Sequence, residues 1–249
     1  MSQRYGLLGK SLKHSFSADY FREKWSALNL GELEYHLFEI PNIGLLPELI
    51  AQQTSLRGMN VTIPYKTEVI PLLHSISPQA EAVQAVNTLV FERGSAIRIH
   101  GYNTDIDGFS GEIRPLLKPW MDRALILGDG ASSRTVRYVL QQIGLETLRV
   151  SRKGCEDGLL WSDLNEYVIK HHPLIVNTTP IGQFPAIDEF PQLPYHALSN
   201  AHLLFDLVYN PNPSRFLIEG AKHGAKTQSG LGMLKLQADK SWEIWSATH

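Results

Sequence analysis

Asn60-Val61-Thr62-Ile63-Pro64-Tyr65-Lys66 places an amide, a hydroxyl and an ammonium close together in the chain. Such a set can hold a polar small molecule and move a proton to or from one of its oxygens. Val61 and Ile63 alternate with Asn60 and Thr62, the pattern of a half-buried strand, here over 56–63. Pro64 has no N–H to give to a ladder, so the strand ends there and hands over to a helix. The three polar side chains then stand at the C-terminal edge of a strand, where α/β proteins bind ligands. The same residues also read as a plain strand–helix junction with a solvated lysine, and the rest of the chain must decide.

A second group with chemistry is Gly128-Asp129-Gly130-Ala131-Ser132-Ser133-Arg134. It follows the apolar run Ala124-Leu125-Ile126-Leu127 and precedes Val136, Val139, Leu140 and Ile143, which recur at helical spacing up to Gly144. Strand, glycine turn and helix in that order are what a dinucleotide site requires. Gly128 permits the tight turn, Gly130 lets backbone approach a pyrophosphate, and the helix start supplies N–H groups. Ser133 takes the place of the third glycine of the generic pattern. The next strand, Leu148-Arg149-Val150, runs into Ser151-Arg152-Lys153. An NAD site usually has Asp or Glu there; a hydroxyl and two cations suit the 2′-phosphate of NADP. A solvated basic turn is the alternative.

Three further stretches offer polar groups with a structural reading, a functional reading or both. Ser15 and Ser17, two apart in an extended turn, both offer hydroxyls to a carboxylate; Ser17 equally caps a helix carrying Tyr20, Phe21, Trp25 and Leu28. Thr104 or Asp105 caps a helix that continues through Asp107-Gly108-Phe109. Gln237 lies beside the stripe Leu231, Leu234, Ala238, Trp242 and Trp245 of a final helix, placed to face a ligand.

The elements that must position these groups alternate in type. Strands are expected at 5–9 and 34–40, with a short helix at 47–53 and Ser77-Pro78 as cap and first residue of another. Leu89-Val90-Phe91 turns at Gly94-Ser95 into a hairpin partner at 97–100. Beyond the glycine turn come strands at 174–176 and 203–208, and a helix from Pro213 to Gly224. The Pro/Gly-rich 182–194 loop reads as a rim. This is an α/β chain, with a mixed sheet first and a doubly wound sheet second.

Composition narrows the class. The 249 residues allow one large domain or two smaller ones, with 43% hydrophobic and 19% charged residues to build them. A net charge of -2 and no long Lys/Arg run argue against nucleic acid or an acidic membrane surface as partner. No segment is long and apolar enough for a membrane span or a signal peptide. Cys155 is the sole cysteine, so an intrachain disulfide is excluded and a reducing, cytoplasmic compartment fits.

Taken in order, His14-Ser15-Phe16-Ser17, the 60–66 stretch, Ala85-Val86-Asn87-Thr88, Gly101-Tyr102-Asn103-Thr104-Asp105, the glycine turn, and the segments 177–182, 206–211 and 230–237 resemble the shikimate dehydrogenase family. The resemblance covers nearly the whole chain. It implies reversible, NADP-linked reduction of 3-dehydroshikimate to shikimate in aromatic amino acid biosynthesis. It also implies a mixed-sheet substrate-binding and catalytic domain (1–102 plus 230–249) and a Rossmann NADP-binding domain (103–229). By matching position, Lys66 and Asp105 are the implied catalytic pair, and which of the two formally transfers the proton stays open. Ser15 and Ser17 would hold the substrate carboxylate, and Thr62, Asn87, Tyr209 and Gln237 would line the substrate. The implied cofactor positions are Gly128, Gly130, Ala131, Ser132, Ser151, Arg152, Lys153, Thr178, Val208 and Gly230. The expected partner is a small-molecule substrate, the chain a monomer or homodimer, and no metal is called for.

Departures from the family pattern are Ala18 for a proline, Gln84 and Ala131 for glycines, and Ser151 for an asparagine. None removes a group the chemistry needs. A rival within the family is an NAD-linked enzyme acting on quinate; Arg152 and Lys153, with no acidic residue at that strand end, speak against NAD. A non-catalytic nucleotide-sensing module would lack at least one catalytic or substrate residue, and all are present.

Overall fold

The computed structural model describes residues 3–12, 16–154 and 158–248. The chain runs β1 (Gln3–Gly9), α1 (Ser17–Ala27), β2 (Leu33–Glu39), α2 (Leu46–Gln52), β3 (Leu56–Val61), α3 (Tyr65–Glu68), β4 (Ser75–Ile76), α4 (Pro78–Val83), β5 (Thr88–Arg93), β6 (Ile97–Tyr102) and α5 (Asp105–Ile113). It continues with β7 (Arg123–Leu127), α6 (Ala131–Gln142), β8 (Glu146–Ser151), β9 (Gly158–Leu160), α7 (Glu166–Lys170), β10 (Leu174–Asn177), β11 (Leu203–Asp206), α8 (Arg215–Lys222), β12 (Lys226–Ser229) and α9 (Leu231–Thr248). Two compact units result, Met1–Asp107 with Gln237–His249, and Gly108–Leu236. The expected division at 102/103 and 229/230 lies a few residues earlier. The units part inside α5 and α9, because each helix begins in one unit and ends in the other.

The first unit holds a six-stranded sheet of order β2-β1-β3-β5-β6-β4. β1 is parallel to β2 and β3, whereas β5 is antiparallel to β3 and β6, so the sheet is mixed. Strand alternation gives it two cores. Leu89 and Phe91 face one with Leu8, Leu46, Ile50 and Met59, while Val90 faces the other with Tyr5, Phe21, Trp25 and Trp245. Trp245 is the anchor of the last helix in this unit. It is fully buried, stacks on Tyr5 at 4.7 Å between ring centroids, and donates its indole N–H to the Leu89 carbonyl at 2.9 Å. Gly58 makes room for it, since a Cβ there would stand 2.3 Å from the indole nitrogen.

The second unit is a six-stranded sheet of order β12-β11-β10-β7-β8-β9 with every pairing parallel. Counted from β7 this is the 3-2-1-4-5-6 order of a doubly wound dinucleotide fold, and its switch point lies between β7 and β10. Strands buried on both faces read as continuous apolar runs. Ala124, Leu125, Ile126 and Leu127 of β7, and Leu174, Ile175 and Val176 of β10, are all fully buried.

Four expectations need correction. The strand expected to reach Ile63 ends at Val61: Thr62 still donates its N–H to the Leu8 carbonyl at 2.9 Å, but Ile63 is 66% exposed and the chain turns at Pro64. Ser17 does not cap α1; the helix starts at Ser17 itself, after Phe16 in a helical conformation. The helix expected from Pro213 begins at Arg215, capped by Ser214, whose hydroxyl accepts the Leu217 N–H. The later half of the 182–194 loop is not rim, because Phe190 and Leu193 pack into the core with Tyr195. The Ser77 cap is present, accepting the Ala80 N–H at 3.3 Å with Pro78 next. Among the described residues no helix is long and apolar enough to cross a membrane.

Candidate active site

Lys66 sits in the short helix α3, pinned on both sides. Buried Tyr65 donates its hydroxyl to the Ile40 carbonyl at 2.5 Å, and the Lys66 carbonyl accepts the Val86 N–H at 2.7 Å. From there the Lys66 Nζ donates to Asp105 Oδ2 at 2.7 Å, with the two side chains only 16% and 6% exposed. Asp105 occupies the first turn of α5, where unpaired backbone N–H groups favour a carboxylate. Each charge compensates the other's desolvation. An ammonium has three donors, and only the one to Asp105 has a side-chain partner among the described residues.

The amides beside this pair are oriented by a chain of necessity. The Thr104 backbone N–H can only donate, and it meets Asn87 Oδ1 at 2.7 Å. The amino group of Asn87 must therefore face Gln237, donating to its Oε1 at 2.9 Å. That leaves the amino group of Gln237 with no partner among the described residues, free to donate to a ligand oxygen. Asn60 is the opposite case. Its Nδ2 meets Thr88 Oγ1 at 3.1 Å and Ser241 Oγ at 2.8 Å, while its Oδ1 accepts from the Tyr35 hydroxyl at 2.9 Å. The Thr62 hydroxyl at the end of β3 has no protein partner among the described residues. Ser17 hydrogen-bonds the Tyr35 phenol, whose pKa burial pushes well above its ordinary value. Ser15 lies outside the described residues.

In the second unit, Gly128 follows β7 with φ +120, and a Cβ there would stand 2.6 Å from Thr178 Oγ1. Both facts demand glycine. Gly130 precedes α6 with open space around it, nothing standing within 4 Å of where a Cβ would be. No side chain caps α6, so its first N–H groups are uncapped next to that space. Ala131 and Ser132 open the helix half-buried. Ser133 donates to the Gly128 carbonyl at 2.7 Å, which explains why a serine serves where a third glycine was expected. At the end of β8, Ser151 is buried with its hydroxyl unpartnered among the described residues, and Arg152 and Lys153 follow it exposed.

The other cofactor candidates are of mixed character. Thr178 donates its hydroxyl to the Leu127 carbonyl at 2.7 Å and so ties β10 to the end of β7. Val208 is buried, and Gly230 packs directly on backbone, a Cβ there standing 2.8 Å from the Leu207 carbonyl. Tyr209 belongs to this second unit, and burial pushes its phenol above the ordinary value.

Sequence reasoning missed one charged group. Asp206, inside the apolar run Leu203-Leu204-Phe205-Asp206-Leu207, accepts from Asn177 Nδ2 at 2.8 Å, from the Val208 N–H at 3.0 Å and from the Ser214 hydroxyl. It joins the loops after β10 and β11. Burial outweighs these hydrogen bonds and pushes its carboxyl up to about 6 from 3.8. The folded chain thus favours the neutral acid, and this contribution to stability is complete below the unfolded value and lost as pH rises through about 6. Asp206→Asn keeps the shape, with Ser214 turning to accept from the new amide. Denaturant unfolding at pH 4.5 and pH 7 is expected to show the variant gaining on the parent by about 2 kcal/mol between the two values. An equal difference at both values sinks the assignment.

The comparisons with known proteins cover both units. A family model described as the shikimate dehydrogenase substrate binding domain matches residues 7–89, the segment that carries Lys66. The shikimate dehydrogenase (NADP(+)) of Carboxydothermus hydrogenoformans is 33% identical over 97% of this chain and 90% of its own. That of Clostridium beijerinckii is 34% identical over 97% and 91%. Among solved structures, shikimate 5-dehydrogenase from Thermus thermophilus in complex with NADP(H) and shikimate matches with a TM-score of 0.86 at 29% identity, over 98% of this chain and 94% of that one. Identity at this level, sustained from the first strand to the last helix, makes the chain a member of the shikimate dehydrogenase family.

Proposed function

We propose that this protein reversibly reduces 3-dehydroshikimate to shikimate with NADPH, the dehydrogenase step of aromatic amino acid biosynthesis. The observation that carries the reading is the Lys66–Asp105 pair at 2.7 Å, with the Gln237 side-chain oxygen held by Asn87 in the same unit so that its amino group can donate to a ligand. The first unit is proposed to hold the substrate and the second the dinucleotide. The second suits it: open space at Gly130, the uncapped start of α6 for phosphate oxygens, and Ser151 with Arg152 for a 2′-phosphate.

Bound NADP supplies the acceptor or donor of a hydride. The protein's part is the proton and the placing of the ring. As a ketone is reduced its oxygen gains negative charge, and the Lys66 ammonium, aimed by Asp105, stabilises that charge and protonates it. In the oxidative direction the Lys66–Asp105 pair takes the hydroxyl proton as a unit. Ser17, tethered to Tyr35, and Ser15 are proposed to hold the ring carboxylate; Thr62 and Gln237 offer donors to ring hydroxyls. Asn87 acts by orienting Gln237, and Tyr209 is assigned to the substrate by the resemblance alone. A cytoplasmic monomer or homodimer completes the proposal.

The test is purified protein with shikimate and NADP, following reduced nicotinamide by absorbance, with quinate and NAD in parallel. Shikimate with NADP is expected to be the preferred pair. No reduction of NADP with shikimate would refute the assignment.

A further inference from the structure

Ser241 is fully buried in the interior of α9, one turn beyond Gln237. At such a position alanine has the better helix propensity, and a buried hydroxyl is costly unless satisfied. Here it is satisfied several times over. Ser241 Oγ accepts from Asn60 Nδ2 at 2.8 Å, donates to the Gln237 carbonyl at 2.9 Å, and lies 3.0 Å and 3.1 Å from the hydroxyls of Thr88 and Thr104. Asn60 is the penultimate residue of β3, Thr88 opens β5 next to Asn87, Thr104 directly precedes Asp105, and Gln237 is on α9. One hydroxyl therefore touches the strand that leads to Thr62, the neighbour of Asn87, the residue before Asp105 and the backbone of Gln237.

We infer that Ser241 is a positioning residue of the substrate site, with the Tyr35 phenol as the outer support of the same network through Asn60 and Ser17. The inference rests on the proposed reaction. Tyr35 donates to Asn60 Oδ1, which turns the Asn60 amino group toward Ser241, and its bond to Ser17 extends the frame to the proposed carboxylate contact. Ser241 touches no substrate itself. It ties together the backbone segments that carry Asn87, Thr104 and Gln237, whose spacing the donation from Gln237 depends on, so its loss is felt when the polyhydroxylated ring acid binds.

The test is steady-state kinetics with shikimate and NADP on the parent, Ser241→Ala and Tyr35→Phe, together with thermal melting. Ser241→Ala is expected to raise the KM for shikimate roughly tenfold while changing kcat and the KM for NADP less than about threefold. Tyr35→Phe keeps its ring against Phe21 and is expected to raise the same KM roughly threefold. Tyr35 is only half-buried, so this variant decides the matter where Ser241→Ala does not fold. An inactive parent overturns the assigned reaction and this inference with it. An active parent whose variants keep the shikimate KM within about twofold, even with lower melting temperatures, overturns this inference alone.

Discussion

Lys66→Ala is expected to lower kcat for shikimate oxidation by about a hundredfold or more, because a positioned acid–base group is worth roughly 10²–10⁴. The KM for NADP should stay within about twofold, since the proposed dinucleotide groups, from Gly128 to Arg152, all belong to the second unit. The magnitude follows from geometry. The ammonium is held at 2.7 Å from Asp105, and its backbone is fixed by the Tyr65 and Val86 hydrogen bonds. Alanine also strands a nearly buried carboxylate, so a drop in melting temperature should accompany the kinetic loss. The two effects separate by assaying well below the melting temperature of the variant. Turnover within about threefold of the parent would remove Lys66 from the chemistry.

What the sequence disclosed about this site, and what it hid, follows from how local each feature is. The glycine turn was legible because strand, Gly128, Gly130 and helix are consecutive, and a positive φ at Gly128 is a demand made by neighbours in the chain. The doubly wound sheet followed from apolar runs at β7, β10 and β11 divided by helical spacing. β12 was not legible: Lys226-Thr227-Gln228-Ser229 is a polar edge strand with no apolar alternation. The Lys66–Asp105 contact joins residues 39 apart, so their separate readings as solvated lysine and helix cap stood until the resemblance paired them. Ser241 and Tyr35 carried no local sign at all. A serine in a helix looks neutral until β3, β5 and α9 are brought together around it. Asp206 had a sign that went unused, a carboxylate inside an apolar run, which at a parallel strand end means a partnered buried acid.

The second large effect concerns the cofactor. The parent is expected to prefer NADP over NAD at least roughly tenfold in kcat/KM, because one charge-assisted contact contributes about 1.5–3 kcal/mol. Val150 and Ser151 close β8 buried, the Ser151 hydroxyl has no partner among the described residues, and Arg152 and Lys153 emerge exposed beside it. Ser151, Arg152 and Lys153 put no carboxylate at the position that binds a ribose 2′-hydroxyl in an NAD site. A guanidinium meets a phosphate with two parallel hydrogen bonds and stacks on an adenine face, which an ammonium cannot do. Arg152→Ala is therefore expected to raise the KM for NADP by about ten- to a hundredfold and leave NAD nearly unchanged, whereas Lys153→Ala costs only a few-fold. Because Arg152 is exposed, the NADP advantage should also shrink as salt is raised, with NAD serving as the internal control. Equal kcat/KM for both cofactors in the parent at low ionic strength would sink the assignment of this strand end to the 2′-phosphate. An Arg152→Ala variant that loses NAD and NADP alike would place the guanidinium on a part of the dinucleotide that both cofactors share.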